Sequence, residues 1–226
     1  MRRPLRVFPI HSENPLGREL LRTLRAALPH HRSTALEATM SEEKAATRPL
    51  ALSLVILGTL SRLLPHPPNM TAVGAASLFS GARLHGGQAL LVPLACMLVT
   101  DPILGFIYGF RPFSGVTPFI YAAFLINVGL GRWLAETMRP ARIGALALLG
   151  SLQFFLLSNF GVWLVGGGHP YPRTPAGLVA CYVAALPFFG RTLVADLGYA
   201  AVLFGLHAWL SRRVFPAERV TALAAE

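Results

Sequence analysis

Charged residues are scarce in this chain, and they are unevenly placed. Only 13% of the 226 residues are charged, against about 25% in soluble domains, while 54% are hydrophobic. Positions 49–211 hold eight arginines and three acids, whereas residues 1–48 hold nine basic residues and five acids. A water-soluble globule is therefore excluded for the body of the chain. A nucleic-acid binder is excluded as well, because it needs a dense basic face and these arginines are scattered between apolar runs.

Cysteine and lysine are nearly absent, and several catalytic motifs are missing altogether. The two cysteines, Cys96 and Cys181, both lie in apolar runs, where we expect buried small residues rather than a disulfide. The single lysine, Lys44, precedes the first apolar run, and no GxxxxGK[ST] loop occurs, so we expect no ATP hydrolysis through a P-loop. HExxH, CxxC and GxSxG motifs are also absent from the sequence, and we expect no metal, no cofactor and no catalytic residue.

What the sequence has in abundance is long apolar runs, which predict an all-α membrane protein. A helix rises 1.5 Å per residue, so about 20 apolar residues cross a hydrocarbon layer of about 30 Å. The third, fourth and fifth runs meet this length, the first two are short, and the last is long and interrupted near Pro187. The six runs are Pro49–Leu64, Met70–Ala82, Ala89–Tyr108, Val116–Ala135, Ile143–Val165 and Ala176–Leu210.

The distribution of Lys and Arg around these runs predicts six spans with both termini in the cytoplasm. Counted within about twenty residues of the spans, six crossings place ten basic residues inside and three outside. The alternative, in which the second run re-enters and turns back, places five inside and eight outside. We therefore expect a six-transmembrane-helix bundle over residues 49–211 in the inner membrane. Polar cytoplasmic tails are expected over residues 1–48, which are Arg-rich, and 212–226.

The segment 176–189 is expected to lie on the outer side of the membrane. Its apolar stretch is about fourteen residues long, too short to cross a bilayer, and it follows a loop rich in glycine and proline. We predict a short outer helix or lid here, before a last span at 192–210. The alternative is one long last helix that is kinked at Pro187.

The acids inside the apolar runs are Asp101 and Asp196, and they mark the candidate site. A charged group at bilayer depth is costly, so it usually faces the bundle interior or a cavity. On the predicted topology both lie in the outer half, at a depth similar to that of Asn159 and Trp163. Together they predict a pocket that opens outward and offers carboxylates, an amide and aromatic rings to a small solute. Three loop residues border the same side: Arg111, His66 and Tyr171.

Structural roles stay open for the same side chains. Asp101 precedes Pro102 and is also suited to cap a broken helix, while Asp196 is also suited to pair with Arg191 or Arg111. The amide is alternatively an interhelical hydrogen bond, and the aromatic residues are alternatively part of an interfacial belt.

Small residues repeat at every fourth position of the second run, at Ala72, Ala76 and Ser80. Small side chains at this spacing allow another helix to approach closely. Two interpretations stay open, which are packing within this chain and docking of a partner membrane subunit.

Several strings between Leu50 and Leu210 carry a family resemblance. They are Arg62 with Pro65-His66-Pro67-Pro68-Asn69, Gly74-Ala75, Leu91-Val92-Pro93-Leu94 to Asp101, Ser158-Asn159-Phe160-Gly161-Val162-Trp163, Tyr171-Pro172, and Cys181-Tyr182-Val183-Ala184-Ala185-Leu186-Pro187-Phe188-Phe189 through Asp196. On these strings the chain resembles a bacterial family of small membrane proteins of unknown function that are described as transport proteins. That family is similar in layout to the S components of energy-coupling-factor transporters. This likeness implies six helices, a vitamin or metal ligand taken from the outer side, and a separate transmembrane coupling subunit with two ATPases.

We expect a membrane transport protein that binds a small solute from the outer side and helps to carry it inward. The residues expected to bind it are Asp101, Asn159, Trp163 and Asp196, followed by Arg111, His66 and Tyr171. Two other classes stay open. One is an intramembrane enzyme that uses the two aspartates as an acid and base pair, and the other is a non-catalytic subunit of a larger membrane assembly.

Overall fold

The computed structural model describes residues 48–135 and 138–214, and the regular elements in this part of the chain are helices. The expectation of an all-α fold is confirmed. The described helices are α1 at residues 48–60, which continues into a 3-10 turn at Ser61–Leu63, α2 at Val73–Arg83, α3 at Gln88–Tyr108, α4 at Thr117–Leu134, α5 at Pro140–Val165 and α6 at Pro175–Val214. The tails predicted at 1–48 and 212–226 lie almost entirely outside the described residues.

Proline and glycine set several of these boundaries. Pro118 and Pro140 stand within the first two positions of α4 and α5. Backbone N–H groups at these positions have no partner within the helix, so proline costs no hydrogen bond there. Helix α3 ends because Gly109 adopts a left-handed conformation with φ 70°. Between α1 and α2, the prolines at 65, 67 and 68 stop the helix, because proline lacks the donor and restricts the residue before it.

Successive helices run in opposite directions. At α2 and α3, Ser80 near the end of α2 donates a hydrogen bond of 2.8 Å to the Ala89 carbonyl at the start of α3. Val73 at the start of α2 packs in one cluster with Met97, more than two turns further along α3. These two contacts join opposite ends of the helices, so α2 and α3 are antiparallel.

The same pattern relates α4 to α5. Arg142 near the start of α5 donates a hydrogen bond of 2.8 Å to the carbonyl of Trp133 at the end of α4. Gly161 near the end of α5 lies against the ring of Phe119 at the start of α4. The alternation places the segments 64–72, 109–116 and 166–174 at one end of the bundle, which we call the loop end.

The opposite end of the bundle carries most of the arginines, and we call it the arginine end. It contains the segment 84–87, residues 135, 138 and 139, and both termini of the described part of the chain. Arg132 at the end of α4 reaches the carbonyl of Gly86 at 3.1 Å, which joins two of these segments. The arginines at this end are Arg48, Arg83, Arg132, Arg139, Arg142, Arg212 and Arg213.

Helix α2 lies at the centre of the bundle, with α3, α4, α5 and α6 packed around it. Every residue of α2 except Arg83 is buried. Gly81 lies against the carbonyl of Val128, and Gly131 of α4 lies against the carbonyl of Leu78, so a Cβ at either position would overlap the facing oxygen. Glycine at both positions therefore allows the two backbones to touch.

The small-residue face predicted in this segment packs inside the chain. Ala72, Ala76 and Ser80 are 1%, 0% and 0% exposed. In this structure the face is covered by the chain's own helices, as in the first of the two interpretations that the sequence left open.

Helix α6 corrects one prediction. Instead of a separate outer helix at 176–189 and a span at 192–210, one continuous helix of 40 residues runs through Pro187. A single proline removes one backbone hydrogen bond, which a membrane helix tolerates. The packing face also continues across it, since Cys181 and Ala185 before the proline and Ala195 and Asp196 after it are all buried. The predicted lid is therefore wrong, and the alternative of one long helix holds.

Three of the described helices, α3, α5 and α6, are long and apolar enough to cross a membrane. Helix α2 has 11 residues, and at 1.5 Å per residue it rises about 16 Å, half of a hydrocarbon core. Its first residue, Val73, packs beside Met97, which lies eleven residues before α3 ends at Tyr108. Helix α2 therefore begins within the bundle and not at the loop end.

Replacing Gly81 with alanine is expected to lower the free energy of unfolding by about 1–3 kcal/mol, because the methyl group would overlap the Val128 carbonyl and force α2 away from α4. Gly129 on α4 is the matched control, since a Cβ there meets no neighbouring atom within 4 Å. Thermal unfolding of the purified protein in detergent measures both variants. A Gly81→Ala protein that melts at the same temperature as Gly129→Ala would contradict the contact between α2 and α4.

Candidate functional site

Asp101 holds an ion pair beneath the loop end. The residue lies one helical turn beyond Met97 on α3 and is 8% exposed. Its Oδ1 lies 2.6 Å from Nη1 of Arg62, which extends from the 3-10 turn after α1. Its Oδ2 accepts a hydrogen bond of 2.7 Å from the hydroxyl of Tyr121, near the start of α4. Three separate elements therefore converge on one carboxylate, and we call these three residues the Asp101 group.

One hydrogen-bond donor of the Asp101 group has no partner among the described residues. Nη1 of Arg62 also donates to the hydroxyl of Thr100 at 3.2 Å. Its Nε is buried and has no hydrogen-bond partner within the described part of the chain. The side chains of Arg62 and Asp101 remain 16% and 11% exposed. The ion pair is therefore largely desolvated but keeps some contact with solvent. The Nε–H of Arg62 is the donor without a partner.

An apolar cluster adjoins the Asp101 group. Met97, Val73 and Phe124 form its buried part, and Ile120, Tyr121 and Phe154 pack against it. The rings of Phe124 and Phe154 are 5.1 Å apart between centroids. Because Met97 and Asp101 share one face of α3, and Tyr121 belongs to both sets, the polar and apolar parts form one continuous surface.

Asp196 belongs to α6 and lies in a different environment, beside the start of α2. It is 4% exposed, and its Oδ2 accepts a hydrogen bond of 2.7 Å from the hydroxyl of Ser151 on α5. The carboxylate also lies against the first turn of α2. Gly74 lies so close to it that a Cβ would overlap the carboxylate. These contacts tie α2, α5 and α6 together at one point.

The position of Asp196 follows from the way α2 begins. The first amides of a helix have no partner within the helix, and a buried helix start must find acceptors elsewhere. The residue before α2, Ala72, has no side chain that can accept such a bond. A carboxylate from α6 lies beside this first turn, and its negative charge is favourable at the positive end of the helix dipole. Asp196 therefore completes the N-terminus of α2 from a distant part of the sequence.

The space beside Asp196 is narrow. Asn127, Gly150 and Leu146 line it together with Asp196 and α2, and it has no room for a water molecule. Oδ1 of Asn127 accepts a hydrogen bond of 2.9 Å from Gln153. In this conformation the region is a packed polar core and not a solute cavity.

The two aspartates predicted to share a pocket thus belong to two hydrogen-bond groups with different partners. The structural roles that the sequence left open for them were a helix cap for Asp101 and an ion pair for Asp196. The structure shows neither of these among the described residues. Helix α3 continues through Pro102, so Asp101 does not cap a broken helix. Asp196 bonds to Ser151 and lies against α2, while Arg191 is exposed.

Asn159 and Trp163 are engaged in local contacts on α5. The amide of Asn159 donates to the carbonyl of Phe155 on its own helix at 2.8 Å. The indole N–H of Trp163 donates to the carbonyl of Pro172 at 2.9 Å, which fixes the segment 166–174 against the helix. Both side chains are partly buried, and neither bonds to an aspartate in the part of the chain that is described.

His66, Arg111 and Tyr171 all lie in the segments of the loop end. The Nδ1 atom of His66 lies 2.6 Å from the carbonyl of Leu64. Arg111 is exposed, and Tyr171 is partly buried. A metal centre has no basis in the described residues, where no three His, Cys, Asp or Glu side chains group together.

Sequence reasoning missed the partners of both aspartates. Sequence reasoning uses Arg62 as one of the three basic residues outside the spans and as part of a family string, although a lone cation beside a span suggests a buried partner. Tyr121 lies among other aromatic residues of α4, and Ser151 among small residues of α5, so neither pattern distinguishes them. The pairing of Asp196 with α2 has no signal in the sequence beyond the Gly74-Ala75 step.

The sequence pattern of the family of unknown function DUF6580 matches residues 43–220 of this chain. No curated protein shows significant similarity to the chain, and no solved structure does either. The family match covers all the described helices.

Replacing Asp196 with alanine is expected to lower the free energy of unfolding by about 1–3 kcal/mol, because the buried hydrogen bond from Ser151 of α5 to α6 is lost and the carboxylate is removed from the start of α2. Asn159→Ala is the matched control, since that amide bonds only to the backbone of its own helix. Melting of both variants in the same detergent is the measurement. Equal melting temperatures would show that α2 does not depend on this carboxylate.

Proposed function

The chain belongs to the DUF6580 family, and we propose that it is a multi-pass membrane protein that binds a small solute at the Asp101 group and helps to carry it inward. The observation that carries this proposal is the convergence of Arg62, Asp101 and Tyr121 from three elements beside an apolar cluster. A buried ion pair is weak as a stabilising device, because the desolvation of both charges offsets much of their attraction. Its presence at the loop end is better explained by a ligand.

The proposed orientation places the arginine end in the cytoplasm and the loop end outside. Seven arginines stand at the arginine end, while Arg62, Arg111 and Arg173 stand toward the loop end. Positive charge near membrane spans is retained on the cytoplasmic side, which supports this orientation in an inner membrane. Both chain ends would then be cytoplasmic.

Six crossings are compatible with the helix lengths if two of them are assigned as follows. Helix α2 is short, so we propose that the segment 64–72 completes its crossing on the outer side. Helix α6, at 40 residues, would rise about 60 Å, twice the hydrocarbon thickness. We propose that part of this helix lies within the hydrocarbon, with the remaining turns reaching beyond it.

The chemistry of the Asp101 group suggests how a solute would be held. Arg62 has an unused Nε and suits a carboxylate or phosphate of the solute, while Asp101 and Tyr121 suit an amine or a hydroxyl group. Met97, Phe124 and Phe154 would cover its apolar part. Entry from outside would pass the loop residues His66, Arg111 and Tyr171.

Asp196 has a structural role in this proposal. Its neighbours are neutral groups of α2 and α5, and the space beside it is filled. The separation of the two carboxylates into different groups also disfavours an acid and base pair for catalysis. We therefore keep solute binding as the proposed function in preference to an intramembrane enzyme.

Energy for transport would come from another protein, as in the S components that the chain resembles in layout. No phosphate-binding loop occurs in the sequence. A transmembrane coupling subunit would have to dock on an outer surface of the bundle, because the small-residue face of α2 is already covered.

Solute binding is tested with purified protein in detergent against a panel of water-soluble vitamins, by calorimetry. Tyr121→Phe keeps the ring and removes only the hydroxyl, so it should fold and raise Kd about tenfold, the factor for about 1.4 kcal/mol. Asp101→Asn is expected to raise Kd further. Arg173→Gln is the matched control at the loop end, where the arginine bonds to the carbonyl of Leu164.

Two outcomes would contradict the proposal. One is that no compound of the panel binds the wild-type protein. The other is that a compound binds with the same Kd to the wild type, Tyr121→Phe and Asp101→Asn, which would mean that it binds elsewhere.

A further inference from the structure

Two exposed tryptophans stand beside arginines at the arginine end. Trp133 at the end of α4 is 61% exposed, and Trp209 near the end of α6 is 54% exposed. Arg142 donates to the carbonyl of Trp133 at 2.8 Å. The guanidinium of Arg213 lies over the ring of Trp209, with its carbon 5.6 Å from the centroid. We call these the two Arg–Trp pairs.

Exposed tryptophan at the end of an apolar helix is typical of the boundary between hydrocarbon and headgroups. The indole ring has an apolar body and a polar N–H, so it is stable at that depth. Each Arg–Trp pair thus places a guanidinium at the level where lipid phosphates lie. Stacking on Trp209 also restrains the Arg213 side chain, which reduces the entropy lost when an anion binds.

Among the described residues, the charge of this end is strongly unbalanced. Seven arginines stand there, and the carboxylates of the described residues, Asp101 and Asp196, lie elsewhere in the bundle. The sequence from 48 to 214 adds one more carboxylate, Glu136, which lies outside the described residues. The surface is therefore complementary to an anionic partner that extends around the bundle.

We propose that the two Arg–Trp pairs bind the headgroups of anionic phospholipids. A guanidinium forms paired hydrogen bonds with phosphate oxygens, and a lipid with net negative charge is favoured over a zwitterionic one by electrostatic attraction. The exposed indole covers the upper part of the acyl chains of the same lipid. This surface is separate from the Asp101 group and acts whether or not a solute is bound.

Tryptophan fluorescence tests this proposal, because the chain has three tryptophans and two of them belong to the pairs. A protein that keeps only Trp209, made by Trp133→Phe and Trp163→Phe, is placed in phosphatidylcholine vesicles. Brominated phosphatidylglycerol or brominated phosphatidylcholine is then added as a quencher. Half-maximal quenching is expected at about fivefold lower mole fraction for the anionic lipid, the factor for about 1 kcal/mol.

Two controls locate the effect. Arg213→Gln in the same background should bring the ratio of the two lipids close to one, while Arg173→Gln at the loop end should leave it unchanged. A protein that keeps only Trp163 should be quenched equally by both lipids. High salt should reduce the preference at Trp209, because it screens exposed charges.

Three results would overturn the proposal. The first is equal quenching of Trp209 by both lipids, which would leave an acidic protein surface as the partner of this end. The second is a preference that persists in Arg213→Gln. The third is the same preference at Trp163, which would mean that the arginine end is not selective.

Discussion

A helix that begins inside a helix bundle brings unpaired backbone donors with it, and the rest of this fold is arranged around that constraint. Helix α2 begins beside Asp196, which accepts a hydrogen bond from Ser151. Glycine at position 74 leaves room for the carboxylate. A buried helix start needs acceptors from elsewhere, and the distant α6 places a carboxylate there. The small residues that let α4 touch α2 then complete the centre of the bundle.

The two carboxylates illustrate how the same residue type acquires different roles by position. Asp196 lies deep and is surrounded by neutral groups and filled space, so its charge serves the start of a helix. Asp101 lies nearer the loops, pairs with Arg62 and retains some exposure. A pair that is desolvated and incompletely bonded is suited to exchange partners with a solute, whereas a filled polar core is not. This difference is why we assign binding to one and packing to the other.

The sequence predicted the helices well, because hydrocarbon thickness and the scarcity of charge define each run. It predicted a break at Pro187 that does not exist, since a proline in an apolar environment bends a helix without ending it when the packing face continues. The scarcity of acidic residues in the apolar runs also indicated Asp101 and Asp196 as candidate residues. It did not identify Arg62, Tyr121 or Ser151, because side-chain partners depend on the rotation and depth of each helix. Those quantities are set by close contacts such as Gly81 with Val128, which no periodicity encodes.

Uptake of a solute at the Asp101 group requires that the loop end, above this group, faces the outside of the cell. Labelling with a membrane-impermeant thiol reagent tests it in intact cells, in a protein whose Cys96 and Cys181 are replaced by alanine. We predict that Ser114→Cys and His169→Cys are labelled from outside, and that His85→Cys at the arginine end is labelled only after the membrane is opened. Labelling of His85→Cys in intact cells, with Ser114→Cys and His169→Cys protected, would contradict the account.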